Sequence, residues 1–298
     1  MVTGRKCFQL SGVTSSALAD DRWGVSMADP TRFHGLRVLV TGAGRGIGFS
    51  IAEAYLAEGA EVVGVDRDIA SCEALERLST KIRAEQLDIA QLNEESADDL
   101  VSRLPEVDII VHNVGAASSS SFMGANVSAV RETFESNLFG PWLLTRTFVE
   151  SWSERPHGKS IVFVSSLHAH KIRMVPDYSC SKAAVEMLVS ELCVELGPRG
   201  IRVNAVEPGA IDTWSDPSRD DHRMHVEASA RLVPLRRLGT ARDVAFQVLN
   251  LSDPVAAAYV TGSVLRVDGG LAHYNWLLQL YGSAAAENAR VEELFSDR

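Results

Sequence analysis

The chain has 298 residues, of which 46% are hydrophobic and 23% charged, a balance typical of a folded globular protein. This composition excludes a wholly disordered chain, a collagen and a small disulfide scaffold, and no apolar stretch reaches the length of a predicted membrane span. The formal net charge of −10 argues against nucleic acid as a partner, because an acidic surface repels phosphate.

The cysteines and the first residues indicate the cellular compartment of the protein. The 4 cysteines form no CxxC pair, which is typical of reduced thiols in a cytoplasmic protein. His168 and His170 have no third ligand nearby in the sequence and are typical of a solvated loop, so no metal site is predicted. Residues 1–34 lack both a hydrophobic period and an apolar signal core, and we expect a poorly ordered leader there.

From residue 36 onward, short apolar runs alternate with helical patterns. A crossover between two parallel strands needs about a dozen residues, so this alternation predicts a doubly wound α/β fold, with one parallel sheet covered by helices on both faces. A single domain is expected over 35–271. The strands are predicted at 36–40, 61–65, 107–111, 160–164, 201–206 and 263–267, with another ending at 87; the helices are predicted near 51–57, 70–78, 94–104, 127–152, 178–196 and 242–251.

A glycine-rich segment, TGAGRGIG at 41–48, lies between the first predicted strand and its helix. Glycine permits a tight turn and lets a pyrophosphate approach the backbone, and a helix that begins there favours an anion. The strand before it and the helix after it make the segment typical of a dinucleotide-binding loop rather than of a simple turn.

Two aspartates follow the next predicted strands. Asp66 ends the second strand, where a carboxylate can accept both hydroxyls of a ribose and repel a 2′-phosphate, so the sequence favours NAD over NADP. Arg45 and Arg67 are the counter-evidence, since either could pair with that phosphate. Asp88 follows the third strand and fits two roles, a helix N-cap or an acceptor for the adenine amine.

Further polar residues lie where catalysis could occur. Tyr178 and Lys182 are spaced i and i+4, so they share one helix face, and an ammonium there would stabilise a phenolate whose free pKa is about 10. Such a pair by itself also fits an ordinary surface helix. Ser165 and Ser166, after the fifth strand, could hold a substrate oxygen or cap a loop, and Asn137, inside a predicted helix, could bind a water or face solvent.

Taken in order, these motifs resemble the short-chain dehydrogenase/reductase family, in its single-domain branch, over about residues 35–271. The resemblance implies a Rossmann-like sheet of seven parallel strands in the order 3-2-1-4-5-6-7. It rests on the TGAGRGIG loop, Asp66, Asp88, Asn113-Val-Gly115, Asn137, the serine pair, the Tyr178–Lys182 segment YSCSK, the run NAVEPGAIDT at 204–213 and Asp268-Gly-Gly.

The resemblance also implies roles for single residues. Tyr178 would be the general acid/base, Lys182 would bind the nicotinamide ribose and lower the phenol pKa, a serine would orient the substrate oxygen and Asn137 would hold a relay water. Tyr178 and Lys182 would thereby contact the cofactor too. The other cofactor-binding residues would be Gly42, Arg45, Gly46, Ile47, Gly48, Asp66, Asp88, Ile89, Asn113 and Gly115, with Pro208, Gly209, Ile211 and Thr213 at the nicotinamide carboxamide.

The sequence departs from the family pattern at two places. His112 stands where the family usually has asparagine, and we expect a structural effect only. The catalytic serine is the second departure: its spacing to Tyr178 favours Ser165, whereas the pair of serines that closes the strand favours Ser166 with one residue deleted from the following loop. We assign the role to Ser166.

The sequence therefore predicts an NAD(P)-dependent oxidoreductase that interconverts a secondary alcohol and a ketone, with NAD preferred. One alternative is an NADPH-dependent 3-oxoacyl-thioester-type reductase, which Asp66 disfavours; another is a non-catalytic nucleotide sensor, which the Tyr178–Lys182 pair disfavours. We expect a cytoplasmic protein, and the resemblance implies a homo-oligomer, a dimer or a tetramer, formed through helices 127–152 and 178–197. The aromatic residues at the start of 272–298 suggest a further subunit contact.

Overall fold

The computed structural model describes residues 31–118, 121–152, 158–213 and 220–273. Seven strands form one parallel sheet in the order β3-β2-β1-β4-β5-β6-β9, which confirms the predicted doubly wound order because β9 is the seventh strand of that sheet. The short strands β7 and β8 pair separately. In chain order the strands are β1 (Arg37–Thr41), β2 (Glu61–Asp66), β3 (Ile82–Gln86), β4 (Ile109–His112), β5 (Ser160–Val164), β6 (Arg202–Pro208), β7 (Ile211–Asp212), β8 (Gly239–Thr240) and β9 (Val264–Val267).

The helices cover both faces of this sheet. Helices α1 and α8 pack on each other over one face, and α3, α5 and α6 lie over the other. No helix within the described ranges combines the length and the apolarity that crossing a membrane requires. The helices are α1 (Gly46–Ala57), α2 (Ile69–Glu76), α3 (Glu94–Arg103), α4 (Val127–Phe134), α5 (Gly140–Ser151), α6 (Pro176–Leu196), α7 (Asp220–Ala230) and α8 (Ala241–Ser252).

Successive residues of the central strands point to opposite faces and build two separate apolar cores. In β1, Val38 and Val40 join the core beneath α1 and α8, whereas Leu39 joins the core beneath α5 and α6. All three side chains are fully buried. Burial on both faces explains why the central strands are continuous apolar runs rather than alternating ones.

Local sequence sets the start of several helices. Asn93 and Ser96 form a reciprocal capping box at α3, and Thr240 and Asp243 form another at α8. Pro176 occupies the first turn of α6, where its missing N–H costs no hydrogen bond. These caps fix where the helices leave the carboxyl ends of the strands.

The packed domain begins earlier than the sequence suggests. Phe33 is fully buried, lies edge to face with Tyr55 at 4.9 Å between ring centroids, and donates its N–H to the Glu58 carbonyl at 3.0 Å. Residues 31–34, which the sequence placed at the end of the leader, are thus part of the packed domain, because one aromatic residue in a polar stretch leaves no period to detect. Residues 1–30 and 274–298, and with them the rest of the leader and the predicted subunit contact, lie outside the described residues.

The helix predicted over 127–152 is interrupted. A π-helical turn, Glu135–Phe139, separates α4 from α5, and the Gly140 N–H closes it by donating to the Glu135 carbonyl. A Cβ on Gly140 would lie 2.2 Å from the Ile89 carbonyl oxygen, so only glycine fits at this contact. The π turn brings Asn137 into the protein interior, and such turns are frequent at functional sites.

We expect Gly140→Ala to destabilise the protein by about 1–3 kcal/mol, because the added methyl group overpacks the contact with Ile89. Gly197→Ala is the matched control: Gly197 has helical angles (φ −53, ψ −43) and open space around it. The control is expected to be neutral or stabilising by about 0.4–1 kcal/mol. Urea unfolding of the two variants measures the difference, and equal stabilities would contradict the packing argument.

Candidate active site

A cleft of about 700 Å³ opens beside the carboxyl ends of β1, β2 and β4. In open α/β sheets this is where ligands bind. Most of the residues predicted to bind the cofactor line it: Gly42, Arg45, Gly46, Ile47, Asp66, Asp88, Ile89, Asn113, Gly115 and Thr213.

The remaining predicted residues lie elsewhere, and the cleft contains others that the sequence did not reveal. Leu87, Val114 and Ala116 follow strand ends and carry no distinctive side chain, so only their position in the fold identifies them. Arg67 also follows a strand end, and the sequence names it only as a possible partner of a 2′-phosphate. Predicted cofactor residues outside the lining are Gly48, Tyr178, Lys182, Pro208, Gly209 and Ile211. Lining residues that the predicted cofactor set lacked are Ser50, Arg67, Leu87, Val114, Ala116, Ser136, Asp212 and Ala241.

The glycine loop is shaped for close approach. Gly42 and Gly46 have φ of +63° and +56°, in the left-handed region that favours glycine. A Cβ on Gly48 would lie 2.0 Å from the Gly42 carbonyl oxygen. Gly48 therefore lets the start of α1 pack against the loop, which explains its absence from the cleft lining.

The start of α1 is suited to an anion. Its N-cap residue, Arg45, makes no side-chain cap, and the first turn holds no acidic residue. Gly46 and Ile47, the first helical residues, line the cleft. Free N–H groups at a helix start, next to a loop without side chains, fit the pyrophosphate of a dinucleotide.

Two carboxylates lie along the same wall. Asp66 Oδ2 accepts the Gly44 N–H at 2.9 Å and Oδ1 accepts the Asp68 N–H at 3.1 Å, which fixes the carboxylate in the cleft. Asp88 caps the 3₁₀ turn Ile89–Gln91 through the Ala90 N–H at 3.0 Å. The N-cap role of Asp88 is thus confirmed, and its place in the lining leaves adenine recognition as a second role.

Residues after β4 hold the cleft together. Asn113 Nδ2 donates to the carbonyls of Thr41 and Gly42, at 3.2 and 3.0 Å, so it joins the end of β4 to the glycine loop. His112 is buried and its Nε2 lies 2.8 Å from Thr145 Oγ1. Burial lowers the pKa of His112 to about 3, so the ring is neutral, in keeping with the structural effect expected there.

Tyr178 and Lys182 lie on α6 beside this cleft. The Lys182 ammonium donates to the Val164 carbonyl at 2.8 Å and lies 5.9 Å from the centroid of the Tyr178 ring. A Cβ on Gly115 would be 3.5 Å from Lys182 Nζ, so Gly115 in the cleft wall lies next to the ammonium. Burial lowers the pKa of Lys182 to about 8, and the negative charge of Glu186 opposes that shift.

Asn137 is a buried clamp between two segments. Its Oδ1 accepts the Ala116 N–H at 2.7 Å, and its Nδ2 donates to the Ala116 carbonyl at 2.9 Å and to Ser181 Oγ at 2.8 Å. The side chain therefore joins the loop after β4 to α6. Both N–H groups are used, and only one Oδ1 lone pair is left for the predicted relay water.

The two candidate serines differ in their partners. The Ser165 hydroxyl donates to Glu186 Oε1 at 2.6 Å, and the other oxygen of this buried carboxylate lies 2.6 Å from His170 Nε2. The Ser166 hydroxyl accepts the His168 N–H at 3.2 Å, and no acceptor within the described ranges takes its proton. The His168 and Tyr178 ring centroids are 6.3 Å apart, so Ser166 adjoins a residue that faces Tyr178.

Comparison with known proteins agrees with this geometry. The family described as Enoyl-(Acyl carrier protein) reductase matches residues 42–272. L-rhamnose 1-dehydrogenase (NAD(P)(+)) of Sphingomonas sp. (strain SKA58) is 35% identical over 80% of this chain and 96% of its own. 3-oxoacyl-[acyl-carrier-protein] reductase FabG of Escherichia coli (strain K12) is 32% identical over 80% of this chain and 98% of its own.

A solved structure of a short chain dehydrogenase/reductase family protein superposes with a TM-score of 0.72 at 34% identity, over 81% of this chain and 100% of that one. The fold and the cleft thus define a dinucleotide-dependent enzyme of the Rossmann-like type. The chain belongs to the short-chain dehydrogenase/reductase family, and it is an NAD(P)-dependent oxidoreductase acting on CH–OH groups.

The buried ammonium predicts a pH-dependent stability. Below about pH 8 the folded protein carries the cost of a buried Lys182 charge; above it the folded state loses this proton while the unfolded chain keeps it up to about pH 10.4. Relative to Lys182→Met, the wild type should gain about 3 kcal/mol between pH 7 and 10.5. Urea unfolding at each pH, with Lys81→Met as the control for a lost lysine, measures this gain; parallel curves would contradict it.

Proposed function

We propose that the protein is an NAD-linked secondary-alcohol dehydrogenase, working as a ketone reductase in the reverse direction, with Tyr178 as the general acid/base. The observation that carries this proposal is the placement of Tyr178 over a buried ammonium, Lys182, next to Gly115 in the wall of the dinucleotide-shaped cleft. Coulomb attraction to the ammonium stabilises the negative charge that develops on the phenol oxygen during proton transfer.

The residues around the cleft have different roles in the proposed reaction. The glycine loop and the start of α1 would hold the pyrophosphate, and Asp66 would accept the ribose hydroxyls. When bound, the nicotinamide supplies the hydride acceptor or donor. On the protein side, Tyr178 takes the proton of the substrate hydroxyl while Ser166 donates a hydrogen bond to the same oxygen.

The proton then has a way out of the site. The Lys182 ammonium holds the negative charge of the Tyr178 phenolate, and a water on the free Oδ1 lone pair of Asn137 would carry the proton onward. In the reducing direction the same groups act in reverse, with Tyr178 as the acid. Pro208, Gly209, Ile211 and Thr213 would position the carboxamide, and Thr213 already lies in the cleft lining.

The first test is a screen of secondary alcohols for reduction of NAD. Wild type should reduce NAD with at least one alcohol class, and Tyr178→Phe should lower kcat by roughly 10²–10⁴-fold because it removes the acid/base group. NADH binding, followed by fluorescence, should persist in the variant. A Tyr178→Phe enzyme that turns over at the wild-type rate would contradict the assignment.

The serine pair gives a second, matched test. Ser166→Ala should lower kcat at least tenfold, since the substrate oxygen loses a donor, while Ser165→Ala should retain most of the turnover because its hydroxyl is held by Glu186. Thermal unfolding of both variants separates a catalytic loss from a folding defect. The opposite order, with Ser165 essential and Ser166 dispensable, would overturn the assignment.

Cofactor choice depends on opposing charges in the cleft. The Asp66 carboxylate would repel a 2′-phosphate, whereas Arg45 and Arg67 line the same cleft and would attract it. These arginines, together with the similarity to the E. coli 3-oxoacyl reductase, favour the second candidate function, NADPH-dependent reduction of a 3-oxoacyl thioester. We rank it below the NAD-linked function because Asp66 is held in place by two backbone N–H groups.

We expect wild type to have the higher kcat/KM with NAD, and Asp66→Ser to raise the NADP-to-NAD ratio of kcat/KM at least tenfold by removing the repulsion. Asp68→Ser is the control, because Asp68 is a nearby carboxylate that caps α2 and is absent from the cleft lining, and serine can keep the cap. Steady-state rates with both cofactors give the ratios. A wild-type preference for NADP would favour the second candidate.

We propose that the protein is cytoplasmic and forms a homo-oligomer, either a dimer or a tetramer. Large apolar side chains are half-exposed or more on the two predicted contact segments, with Phe139 and Trp142 on one and Met187 and Val194 on the other. Apolar groups in such number on helix surfaces favour burial against another subunit. The three described cysteines, Cys72, Cys180 and Cys193, are free thiols, which fits a reducing compartment.

A further inference from the structure

Arg173 places a second cation against the proposed catalytic tyrosine. It belongs to the loop that leads into α6, and its guanidinium carbon lies 5.5 Å from the centroid of the Tyr178 ring. Arg173 is exposed, and within the described ranges no carboxylate lies at ion-pair distance from it. The contact with the ring holds the guanidinium in place and is worth about 0.5–1 kcal/mol at an exposed site.

Among the described residues, Arg173 differs in this respect from several arginines that are held by carboxylates. Arg237 is paired with Asp243, and Arg266 with Glu207. In a chain with 39 acidic and 29 basic residues, a guanidinium that lies beside the reacting group and has no acidic partner among the described residues is available for a ligand. Its planar fork of N–H donors matches a carboxylate or a phosphate.

The neighbouring histidine does not compete for that role. Burial lowers the pKa of His168, the hydrogen bond with the Lys171 carbonyl opposes that shift, and the charge of Arg173 adds to it. The lowered pKa favours the neutral ring. His168 Nδ1 lies 3.1 Å from the Lys171 carbonyl, which can only accept, so Nδ1 carries the proton. The other ring nitrogen, Nε2, is then an acceptor, suited to a hydroxyl group rather than to an anion.

We propose that Arg173 binds an anionic group of the substrate, a carboxylate or a phosphate, so that the enzyme acts on a hydroxy acid or a phosphorylated alcohol rather than on a neutral alcohol. This inference rests on the proposed function. The reaction is unchanged: the CH–OH carbon is oxidised to a carbonyl as NAD is reduced, Tyr178 takes the hydroxyl proton, and the anionic group keeps its bonds.

The test uses matched pairs of substrates that differ only in charge. Hydroxy acids are compared with their methyl esters, and sugar phosphates with the free sugars, by initial rates of NAD reduction. Arg173→Ala should lower kcat/KM for the anionic member at least tenfold and leave the neutral member within about twofold. Lys171→Ala, which removes a positive charge from the same loop, is the control and should change neither.

The same data distinguish a carboxylate from a phosphate as the group that Arg173 binds, because either the acid–ester pair or the phosphate–sugar pair should show the loss of kcat/KM. Equal losses on charged and neutral members would overturn the inference, since Arg173 would then act on the tyrosine or the loop and not on an anion. No loss on any pair would overturn it as well. Arg173→Lys should recover part of the preference, because it keeps the charge and loses the fork.

A second measurement stands apart from turnover. Calorimetric titration of citrate and of inorganic phosphate into the NADH-loaded protein should show binding that Arg173→Ala weakens at least tenfold and Lys171→Ala leaves unchanged. Absence of Arg173-dependent binding for both anions would overturn the inference even in an active enzyme. Failure of every alcohol in the panel would instead count against the proposed function, with the anion binding judged separately.

Discussion

The site depends on one buried hydrogen bond, from the Lys182 ammonium to the Val164 carbonyl at the end of β5. This bond anchors α6 to the central sheet, near Gly115 in the cleft wall. Tyr178 lies one helical turn earlier on the same face of α6. The protein holds a cation where burial disfavours it, 5.9 Å from the centroid of the Tyr178 ring.

Other polar side chains fix the position of this anchor relative to the cofactor cleft. Asn113 ties the end of β4 to the glycine loop, and Asn137 ties the next loop to α6. Gly115 lies between these two clamps and in contact with Lys182. The carboxyl ends of parallel strands thus bring four chain segments together, and each clamp is an amide whose donors are satisfied by backbone or hydroxyl oxygen.

The sequence predicts this fold well because its signals are local and repeated. The strands around Val38 and Ile110 are apolar runs, the glycine loop follows the first of them, and Tyr178 and Lys182 share a helix face by spacing alone. The sheet order then comes from the resemblance to a family, which local patterns cannot give. These local hydrophobic patterns, in contrast, carry no information on which side chains contact each other across the sheet.

The features that the sequence did not predict depend on contacts between distant parts of the chain, which local patterns do not show. The π turn at Glu135–Phe139 is invisible to a helical period, and Gly140, which closes it, lies close to Ile89, a residue far along the chain. Phe33 escapes detection for the same reason, as its partner Tyr55 belongs to another element. Ser165 and Ser166 look alike in sequence. Their partners distinguish them in the structure, since Ser165 donates to the buried Glu186 carboxylate and Ser166 accepts the His168 N–H.

The most direct test of the central claim is a crystal structure of the protein with NADH. The account predicts a pyrophosphate at the start of α1 and a nicotinamide ring on the Gly115 side of the cleft, with the Tyr178 hydroxyl separated from it by the space of one carbonyl group. A Tyr178 hydroxyl turned to bulk solvent, or a Lys182 ammonium released from Val164 and away from the ribose, would contradict the account.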